Sequence, residues 1–359
     1  MRQNYRRIVI KIGSNVLTQS NGLPDQARIG KIVDQIAVIK KQGLEVILVS
    51  SGAVAAGRSL ITVSEKYDAI VTRQLLASIG QVKLINIYAQ LFEQHHLLCS
   101  QVLVTTEDFK GRQHYLNMKN CLEILLQHDV VPIVNENDVV SVTELMFTDN
   151  DELAGLIASM LNAQALILLT NVDGIYDGDP SLPGSSVIRE VVESEIDFSS
   201  FITSGKSQFG RGGMITKSTM AQKTARLGIA VHIANGTKDN ILPDVLDNKA
   251  IQTHFIPTKT ASEKKKWIAH SEKAATGIVQ VNAGAKDALL SNKATSLLPV
   301  GIIGIQSDFK KGEIIKLIDD NNGLIGLGIA EYGADKARES MGQKNQKPLV
   351  HYDYLYLQS

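Results

Sequence analysis

The amino-acid sequence predicts an α/β fold around a mostly parallel sheet, followed by a small β-rich domain at the C-terminus. Three observations carry this prediction. Short, continuous apolar runs alternate with longer amphipathic stretches up to about residue 235. A polar, charged segment begins near Thr258, and beyond it the apolar runs are short and separated by Gly and Asn-Gly turns. Continuous runs are typical of parallel strands buried on both faces, and their alternation with helices is typical of α/β folds.

The strand candidates are runs of aliphatic residues that do not alternate with polar ones. They are residues 8–12, 45–50, 100–105, 130–135, 165–170 and 229–234. The stretches between them carry apolar residues at helical spacing, and the helix candidates are residues 27–43, 115–129, 150–163 and 214–228. The first helix candidate ends in two lysines and Gly43, which is a helix stop signal. Strands that alternate with helices predict parallel pairing.

The C-terminal part of the sequence predicts a separate domain. The stretch TKTASEKKKW, residues 258–267, is polar and charged and has the character of a linker. Beyond it, the strand candidates are residues 277–281, 298–305, 313–319 and 323–330. We therefore predict a first domain over residues 1–257, a linker over 258–275 and a β-rich domain over 276–359.

Composition restricts the class of protein. The 359 residues include 37 Lys+Arg and 37 Asp+Glu, and this balance argues against a nucleic-acid coat or a membrane-surface protein. The two cysteines, Cys99 and Cys121, have neither metal-ligand nor redox spacing and exclude a disulfide framework. The N-terminus has no signal-peptide pattern, and no apolar run approaches the ~20 residues of a membrane helix. We expect a cytoplasmic protein.

Two candidate phosphate loops lie within the stretch SGKSQFGRGGMITK, residues 204–217. The first, GKS, lacks the glycine that a Walker A loop needs five residues earlier, where Ser200 stands, and we interpret it as a surface turn. The second, GGMITK, leads from glycines into a helical pattern, and the free N–H groups at a helix start bind anions. On the pattern alone, an anion site and a flexible loop with an exposed Lys217 remain equal alternatives.

Polar residues gather where the predicted strands end, which is where ligands bind in open α/β sheets. Lys11 lies at the end of the first strand, SSGAVAAG follows the second, NENDVV follows the fourth, and Asp149, Asn150 and Asp151 begin a helix. Each group has a plain structural explanation, such as a helix cap at Asp149 or Asn150. Together they suit a polyphosphate with a metal and a small polar substrate.

Several of these stretches resemble the amino acid kinase family in order and spacing, over roughly residues 5 to 257. They are VIKIGSNVLT, VSSGAVAAG, IVNENDVV, FTDNDELA, LLTNVDGIY and RGGMITK. From about Gly277 the tail resembles a PUA domain, a small pseudo-barrel. The resemblance implies a three-layer amino acid kinase fold with a mostly parallel central sheet. It is strongest to the branch that uses ATP and Mg²⁺ to phosphorylate the γ-carboxylate of L-glutamate, the first step of proline biosynthesis.

The resemblance assigns roles to individual residues. It implies that Lys11 and Lys217 hold the transferring phosphoryl group and that Asp151 positions these two lysines. The glutamate-binding residues would be Ser51, Gly52, Asn135, Asp138, Asp149 and Asn150. The ATP-binding residues would be Lys11, Thr170, Asn171, Arg211, Gly212, Gly213, Met214, Ile215, Thr216 and Lys217. No side chain is assigned to a metal, because Mg²⁺ is expected on the ATP phosphates.

The residues depart from the family pattern at two positions and agree with its chemistry elsewhere. The family often has Asp where Asn171 stands and Thr where Arg211 stands, and both positions lie on the nucleotide side. A carboxylate substrate has a pKa of ~4 and is ionised at neutral pH, so its phosphorylation needs no general base. Asp138 is a candidate partner for the substrate's α-ammonium.

Two alternative functions stay open at this point. Another acylphosphate-forming amino acid kinase would act on aspartate or on acetylglutamate, but acetylglutamate lacks the ammonium that Asp138 would bind. An RNA-binding function would depend on the PUA-like tail, yet residues 276–359 hold nine Lys+Arg and nine Asp+Glu, which argues against binding to a phosphate backbone. We also expect a homo-oligomer, and inhibition by the pathway end product L-proline at the glutamate site.

Overall fold

The chain divides into two compact units, residues 1–260 and residues 261–359, and each is described by itself. The computed structural model describes residues 4–64, 66–141, 147, 149–179, 182, 184–192, 213–258, 262–272, 275–291 and 295–357. The predicted boundaries at residues 257 and 276 remain a prediction. Residues 263–269, expected in a linker, form a helix of the second unit instead.

The first unit is built on an eight-stranded sheet with strand order β3-β4-β2-β1-β5-β7-β8-β6. Its strands are β1 (Arg7–Ile12), β2 (Glu45–Ser50), β3 (Cys99–Val104), β4 (Val131–Glu136), β5 (Ala165–Thr170), β6 (Glu190–Val191), β7 (Ala230–Asn235) and β8 (Gln252–Phe255). All pairings are parallel except β7 with β8. The six predicted strands are confirmed. The sequence reasoning missed β6 and β8, because neither contains a run of aliphatic residues.

Helices connect these strands. They are α1 (Ser14–Leu17), α2 (Gln26–Lys41), α3 (Ala53–Arg58), α4 (Ala69–Glu93), α5 (Glu107–Lys110), α6 (Arg112–Gln127), α7 (Asn150–Met160), α8 (Met214–Arg226) and α9 (Ile241–Leu246). The start of α2 is capped by Asp25, whose side chain accepts a hydrogen bond from the Arg28 N–H at 2.9 Å. Its last turn carries Lys40 and Lys41, which complement the helix dipole. The four predicted helices are present, and their ends differ from the predicted ends by at most three residues.

Helix α4 is not among the helices predicted from the sequence. It is long and apolar enough to cross a membrane. This is weak evidence for a membrane span, because core helices of soluble proteins can have the same length and composition. In this unit it packs closely against α3. A Cβ atom on Gly80 would lie 1.8 Å from the Ala53 carbonyl oxygen, and one on Gly57 would lie 2.0 Å from that of Leu76. This close crossing fixes α4 relative to the strand that precedes α3.

The second unit holds a five-stranded sheet with strand order β10-β9-β11-β12-β13. Its elements are α10 (Glu263–Ala269), β9 (Gly277–Val281), α11 (Ala283–Leu290), β10 (Ile302–Ser307), β11 (Ile314–Ile318), β12 (Leu324–Ile329), α12 (Ala334–Ser340) and β13 (Leu355–Leu357). The β-rich tail is confirmed. The strand expected over residues 298–305 begins only at Ile302, because Pro299–Gly301 forms a 3-10 turn. Helix α10 buries Trp267 and Ile268, so the charged stretch is not a bare linker.

Candidate active site

A cavity of about 1060 Å³ opens at the carboxyl ends of β1, β2, β4 and β5. This is where open α/β sheets bind ligands, because the strand ends and the following helix starts face one crevice there. The predicted site residues that line it are Lys11, Ser51, Gly52, Asn135, Asp138, Asp149, Asn150, Asp151, Thr170, Asn171, Gly213, Met214 and Lys217. The topology thus brings together residues that lie more than two hundred positions apart in the chain.

One end of the cavity holds two lysines that share the carboxylate of Asp151. We call it the phosphoryl end, after the group that the family resemblance predicts there. The Nζ of Lys11 lies 2.6 Å from one carboxylate oxygen of Asp151, and the Nζ of Lys217 lies 2.7 Å from the other. The three groups come from β1, α7 and α8. The Asp151 side chain is fully buried, while those of Lys11 and Lys217 are 6% and 11% exposed. Asp151 therefore fixes the spacing of the two cations.

Local structure explains why these side chains point into the cavity. Asp149 precedes α7 and caps it, accepting hydrogen bonds from the N–H groups of Asp151 and Glu152 at 2.9 and 3.0 Å. Asp151 consequently sits in the first turn of α7. Gly213 precedes α8, and Lys217 lies in the first turn of that helix. Both helix starts face the ends of the strands.

The charges at the phosphoryl end shift one another's pKa values. Burial alone would raise the pKa of Asp151, but Lys11 and Lys217 hold it at about 2, so this carboxylate stays ionised. Burial, aided by the nearby charge of Lys217, lowers the pKa of Lys11 against the attraction of Asp151. Burial also opposes the charge of Lys217, but Asp151 outweighs burial and the pKa of Lys217 is raised.

Asn150 links the phosphoryl end to the middle of the cavity. Its amide nitrogen lies 2.8 Å from Ser51 Oγ, 3.2 Å from the Ser50 carbonyl oxygen and 3.2 Å from Asn135 Oδ1. An amide has two N–H groups, so three acceptors compete for them. Asn135 in turn donates to Gln81 at 3.1 Å. Gly52, with φ of +106°, lets the chain turn from Ser51 into α3.

Another part of the cavity holds two acids that share the guanidinium of Arg73. We call it the amino-acid end, after the ligand that the family resemblance predicts near Asp138. The Arg73 guanidinium on α4 bonds to Asp138 and lies 3.2 Å from Glu136 Oε2. The other oxygen of Glu136 accepts the Phe147 N–H at 2.9 Å. Burial raises the pKa of Glu136 to about 7 and raises that of Asp138, although Arg73 opposes both shifts. The Asp138 carboxylate thus already has a cationic partner.

Sequence reasoning missed Arg73 and Glu136. Glu136 stands inside the quoted motif NENDVV, so its proximity to Asn135 and Asp138 was a usable signal. No signal could have found Arg73, because it lies in a helix whose sequence, VTRQLLAS, has no motif character. Only the crossing of α4 over the end of β4 brings it to the acids.

The predicted nucleotide residues fall into three groups. Thr170, Asn171, Gly213 and Met214 line the cavity, and Thr170 Oγ1 donates to Asn171 Oδ1 at 3.3 Å. The next two residues of α8, Ile215 and Thr216, are not among the lining residues; Thr216 bonds back to the Gly213 carbonyl at 2.8 Å. The predictions at Arg211 and Gly212, and the GKS turn at residues 205–207, lie outside the described residues.

Comparison with known proteins places this geometry in context. The profile of the amino acid kinase family matches residues 6–235, and that of the PUA domain matches residues 277–352. A protein of Bacteroides thetaiotaomicron named glutamate 5-kinase is 52% identical, with all of both chains covered. One of Chlorobaculum tepidum with the same name is 51% identical over 98% of each chain. A solved carbamate kinase from Giardia lamblia, bound to AMP-PNP, has a TM-score of 0.52 at 20% identity; the match covers 71% of this chain and 99% of that one, and it shows the fold alone.

Proposed function

The chain belongs to the amino acid kinase family and, within it, to the glutamate 5-kinases, and on this premise we propose that it transfers the γ-phosphoryl group of ATP to the γ-carboxylate of L-glutamate. The products are ADP and L-glutamyl 5-phosphate, and the reaction is the first step of proline biosynthesis. One observation carries the proposal for the site. Two lysines share the buried Asp151 at the phosphoryl end, in the same cavity as an acid-rich end suited to an ammonium group.

The chemistry needs positioning and charge neutralisation rather than proton transfer. A γ-carboxylate oxygen of glutamate attacks the γ-phosphorus, and the bond between that phosphorus and the β,γ-bridging oxygen breaks. Since the carboxylate is ionised at neutral pH, no base is required. Lys11 and Lys217 approach from β1 and α8 and stabilise the charge on the transferring group and on the leaving oxygen. Asp151 holds both lysines while remaining ionised itself.

The site suits Mg²⁺ bound together with the ATP phosphates. Within the part of the chain that the structure describes, no three His, Cys, Asp or Glu side chains are grouped as a metal site. Asp149, however, has a buried Oδ2 that no described residue hydrogen-bonds, and a carboxylate oxygen is a ligand that Mg²⁺ accepts. Asp149 is therefore the residue that would face the ion. When bound, Mg²⁺ neutralises phosphate charge and polarises the transferring group.

A coupled ADP-release assay tests the proposed reaction. L-Glutamate, L-aspartate and N-acetyl-L-glutamate are compared side by side with ATP and Mg²⁺. We expect rapid ADP release with L-glutamate and none with N-acetyl-L-glutamate, because the amino-acid end offers carboxylates to a free α-ammonium and N-acetylglutamate has none. ADP release with N-acetylglutamate but not with glutamate would show that the substrate assignment is wrong.

We further propose that L-proline inhibits at the glutamate site, near Asp138 and Asn150. Both ligands carry an α-carboxylate and a cationic α-nitrogen, so one set of residues can bind either of them. The expected result is inhibition that rising L-glutamate relieves. Constant activity across a millimolar proline titration would remove this proposal.

The remaining proposals concern location and partners. The two free cysteines, Cys99 and Cys121, support a reducing, cytoplasmic compartment. The balanced charge of residues 276–359 supports a tail that does not bind nucleic acid, which filter binding at low salt tests. We also propose a homo-oligomer, to be measured by light scattering.

A further inference from the structure

The amino-acid end contains a cation for which the proposed reaction has no role so far. Arg73 lines the cavity, and its side chain is 23% exposed, so it remains accessible to a ligand. The acids that face it are more deeply buried, with Glu136 6% and Asp138 9% exposed. All three face the same cavity as Lys11 and Asp151. A free amino acid is a zwitterion, and this cluster offers a partner for each of its charges.

The contacts of Arg73 suit a group that changes partners. Its Nη2 atom makes the contacts to both Glu136 and Asp138, so one corner of the guanidinium serves two carboxylates. Glu136 is anchored independently, because its other oxygen accepts the Phe147 N–H at 2.9 Å. Glu136 can therefore keep its hold on Arg73 when Asp138 turns to another cation.

The cluster also lies on a polar path to the phosphoryl end. The Glu136 N–H donates to Asn135 Oδ1 at 2.9 Å, and the same oxygen accepts from Asn150 at 3.2 Å. Asn150 directly precedes Asp151, which holds the two lysines. This chain of hydrogen bonds connects the two ends that a single amino acid would have to span.

We propose that Arg73 binds the α-carboxylate of the amino-acid substrate, that Glu136 holds the guanidinium in place, and that Asp138 leaves Arg73 to bind the α-ammonium. This proposal depends on the proposed glutamate kinase activity and deepens it. A guanidinium is always charged and presents a planar fork of N–H donors that matches a carboxylate. Arg73 then determines specificity, because a substrate without an α-carboxylate leaves the guanidinium without its ligand.

Two substrate analogues isolate the two halves of the cluster. 4-Aminobutyrate keeps the reacting carboxylate and the ammonium of glutamate but lacks the α-carboxylate, whereas glutarate keeps both carboxylates but lacks the ammonium. The experiment measures kcat/KM for L-glutamate and the Ki of each analogue against it, in the full-length wild type and in Arg73→Gln. Where turnover is too slow to follow, saturation-transfer NMR of the same ligands gives the comparison.

The proposal predicts a selective change. In Arg73→Gln, kcat/KM for L-glutamate falls about 10- to 100-fold, the range expected for a lost charge-assisted hydrogen bond. Binding of glutarate weakens as well. Binding of 4-aminobutyrate is unchanged or tighter, because Asp138 is released to its ammonium. If L-glutamate and 4-aminobutyrate weaken by the same factor, Arg73 serves only to neutralise the acids and the proposal is overturned.

Three further measurements keep the outcome interpretable. Arg73→Lys retains the charge without the fork and should restore part of the loss for L-glutamate. Arg58→Gln changes a second arginine that lines the cavity among the described residues, and a selective loss there instead of at Arg73 would overturn the proposal. Lys83 is a cation of α4 that bonds to Ser59 at 2.7 Å, and Lys83→Gln controls for a change of charge on the helix. Failure of the wild type to phosphorylate glutamate would refute the proposed function itself, which is a distinguishable result.

Discussion

The two ends of the cavity use opposite ratios of charge. At the phosphoryl end, two cations share the carboxylate of Asp151, while at the amino-acid end two acids, Glu136 and Asp138, share the guanidinium of Arg73. The first arrangement attracts anions and the second attracts a cation. The orientation that we propose for the substrate depends on this difference, with the carboxylate to be phosphorylated at the lysines and the α-ammonium at the acids.

The same difference appears in the pKa values of the buried carboxylates at each end. The pKa of Asp151 stays at about 2 because two cations outweigh the cost of burying its charge. The pKa of Glu136 rises to about 7 because burial disfavours its charge. The Arg73 guanidinium, which also bonds to Asp138, does not offset this effect. The carboxylate beside two cations therefore stays ionised, whereas the two that share the Arg73 guanidinium have raised pKa values.

The strongest test of the comparison removes the acid that the phosphoryl end shares. Asp151→Ala should lower the free energy of unfolding by about 3–5 kcal/mol, because two buried lysines lose their counterion. The pKa of Asp151 is lower in the folded than in the unfolded chain, so this stabilisation is present above about pH 4 and is lost as the pH falls toward 2. Urea denaturation at neutral pH and at low pH measures it.

The control for this variant is Asp239→Ala, which removes one partner of an exposed ion pair with Lys31. Such pairs contribute about 0–1 kcal/mol. Equal losses in the two variants at neutral pH would contradict a special role for the buried pair.

Loss of either lysine should have the next largest effect, and it should fall on turnover. Lys11→Ala and Lys217→Ala are each expected to lower kcat by about 10²-fold or more, because each removes charge stabilisation in the transition state. Steady-state kinetics with saturating ATP and glutamate measure the change. An unchanged kcat with a raised KM would show that the lysine binds the ground state and the transition state equally.

The position of α4, which carries Arg73, can be tested by a substitution elsewhere in that helix. Gly80→Ala should destabilise the first unit by about 1–3 kcal/mol, because the added methyl meets the Ala53 carbonyl. Gly30→Ala on α2 is the matched control, since its methyl would lie 3.6 Å from the Leu91 side chain, an ordinary contact. The control should gain about 0.5–1 kcal/mol from helix propensity. Chemical denaturation of both variants decides whether this close crossing is required.

The raised pKa of Glu136 at the amino-acid end should appear as a pH dependence of stability. The pKa of Glu136 is higher in the folded chain, about 7, than in the unfolded one, so the folded state binds an extra proton between these values and loses stability as pH rises through them. Glu136→Gln should remove about 1 kcal/mol of that decline. Denaturation from about pH 5 to pH 8 measures it, and Glu123→Gln on α6 serves as control. Parallel curves for wild type and Glu136→Gln would contradict the prediction.

The smallest effect is expected from removing the second unit. Every residue placed at either end of the cavity precedes residue 258, so a chain that ends there should keep its kcat. The cut must precede α10, because a cut at Ala269 would leave Trp267 and Ile268 without the core they pack in. Circular dichroism establishes that the shortened chain is folded. Loss of turnover in a folded, shortened chain would show that the second unit contributes to catalysis.

The sequence by itself determined six of the eight strands described in the first unit and the polar residues that meet at their ends. Runs such as EVILVS and ALILLT have few alternatives to a buried parallel strand, and β2 and β5 match them residue for residue. The residues that follow these strands were predicted to meet because parallel strands share one carboxyl edge. Lys11 and Asp151 could therefore be placed in one site without a structure.

Tertiary structure alone decided which cations face which acids. Arg73 and Asp138 are 65 positions apart, and their contact depends on the crossing of α4 over the strand ends, where Gly57 and Gly80 let two helices touch. Strand β8 likewise exists because β7 offers it an edge, since QTHF carries no strand pattern of its own. Local patterns report the conformation that a segment prefers. The partner of a charged side chain is set by packing between segments, and for that reason Arg73 became visible only in the fold.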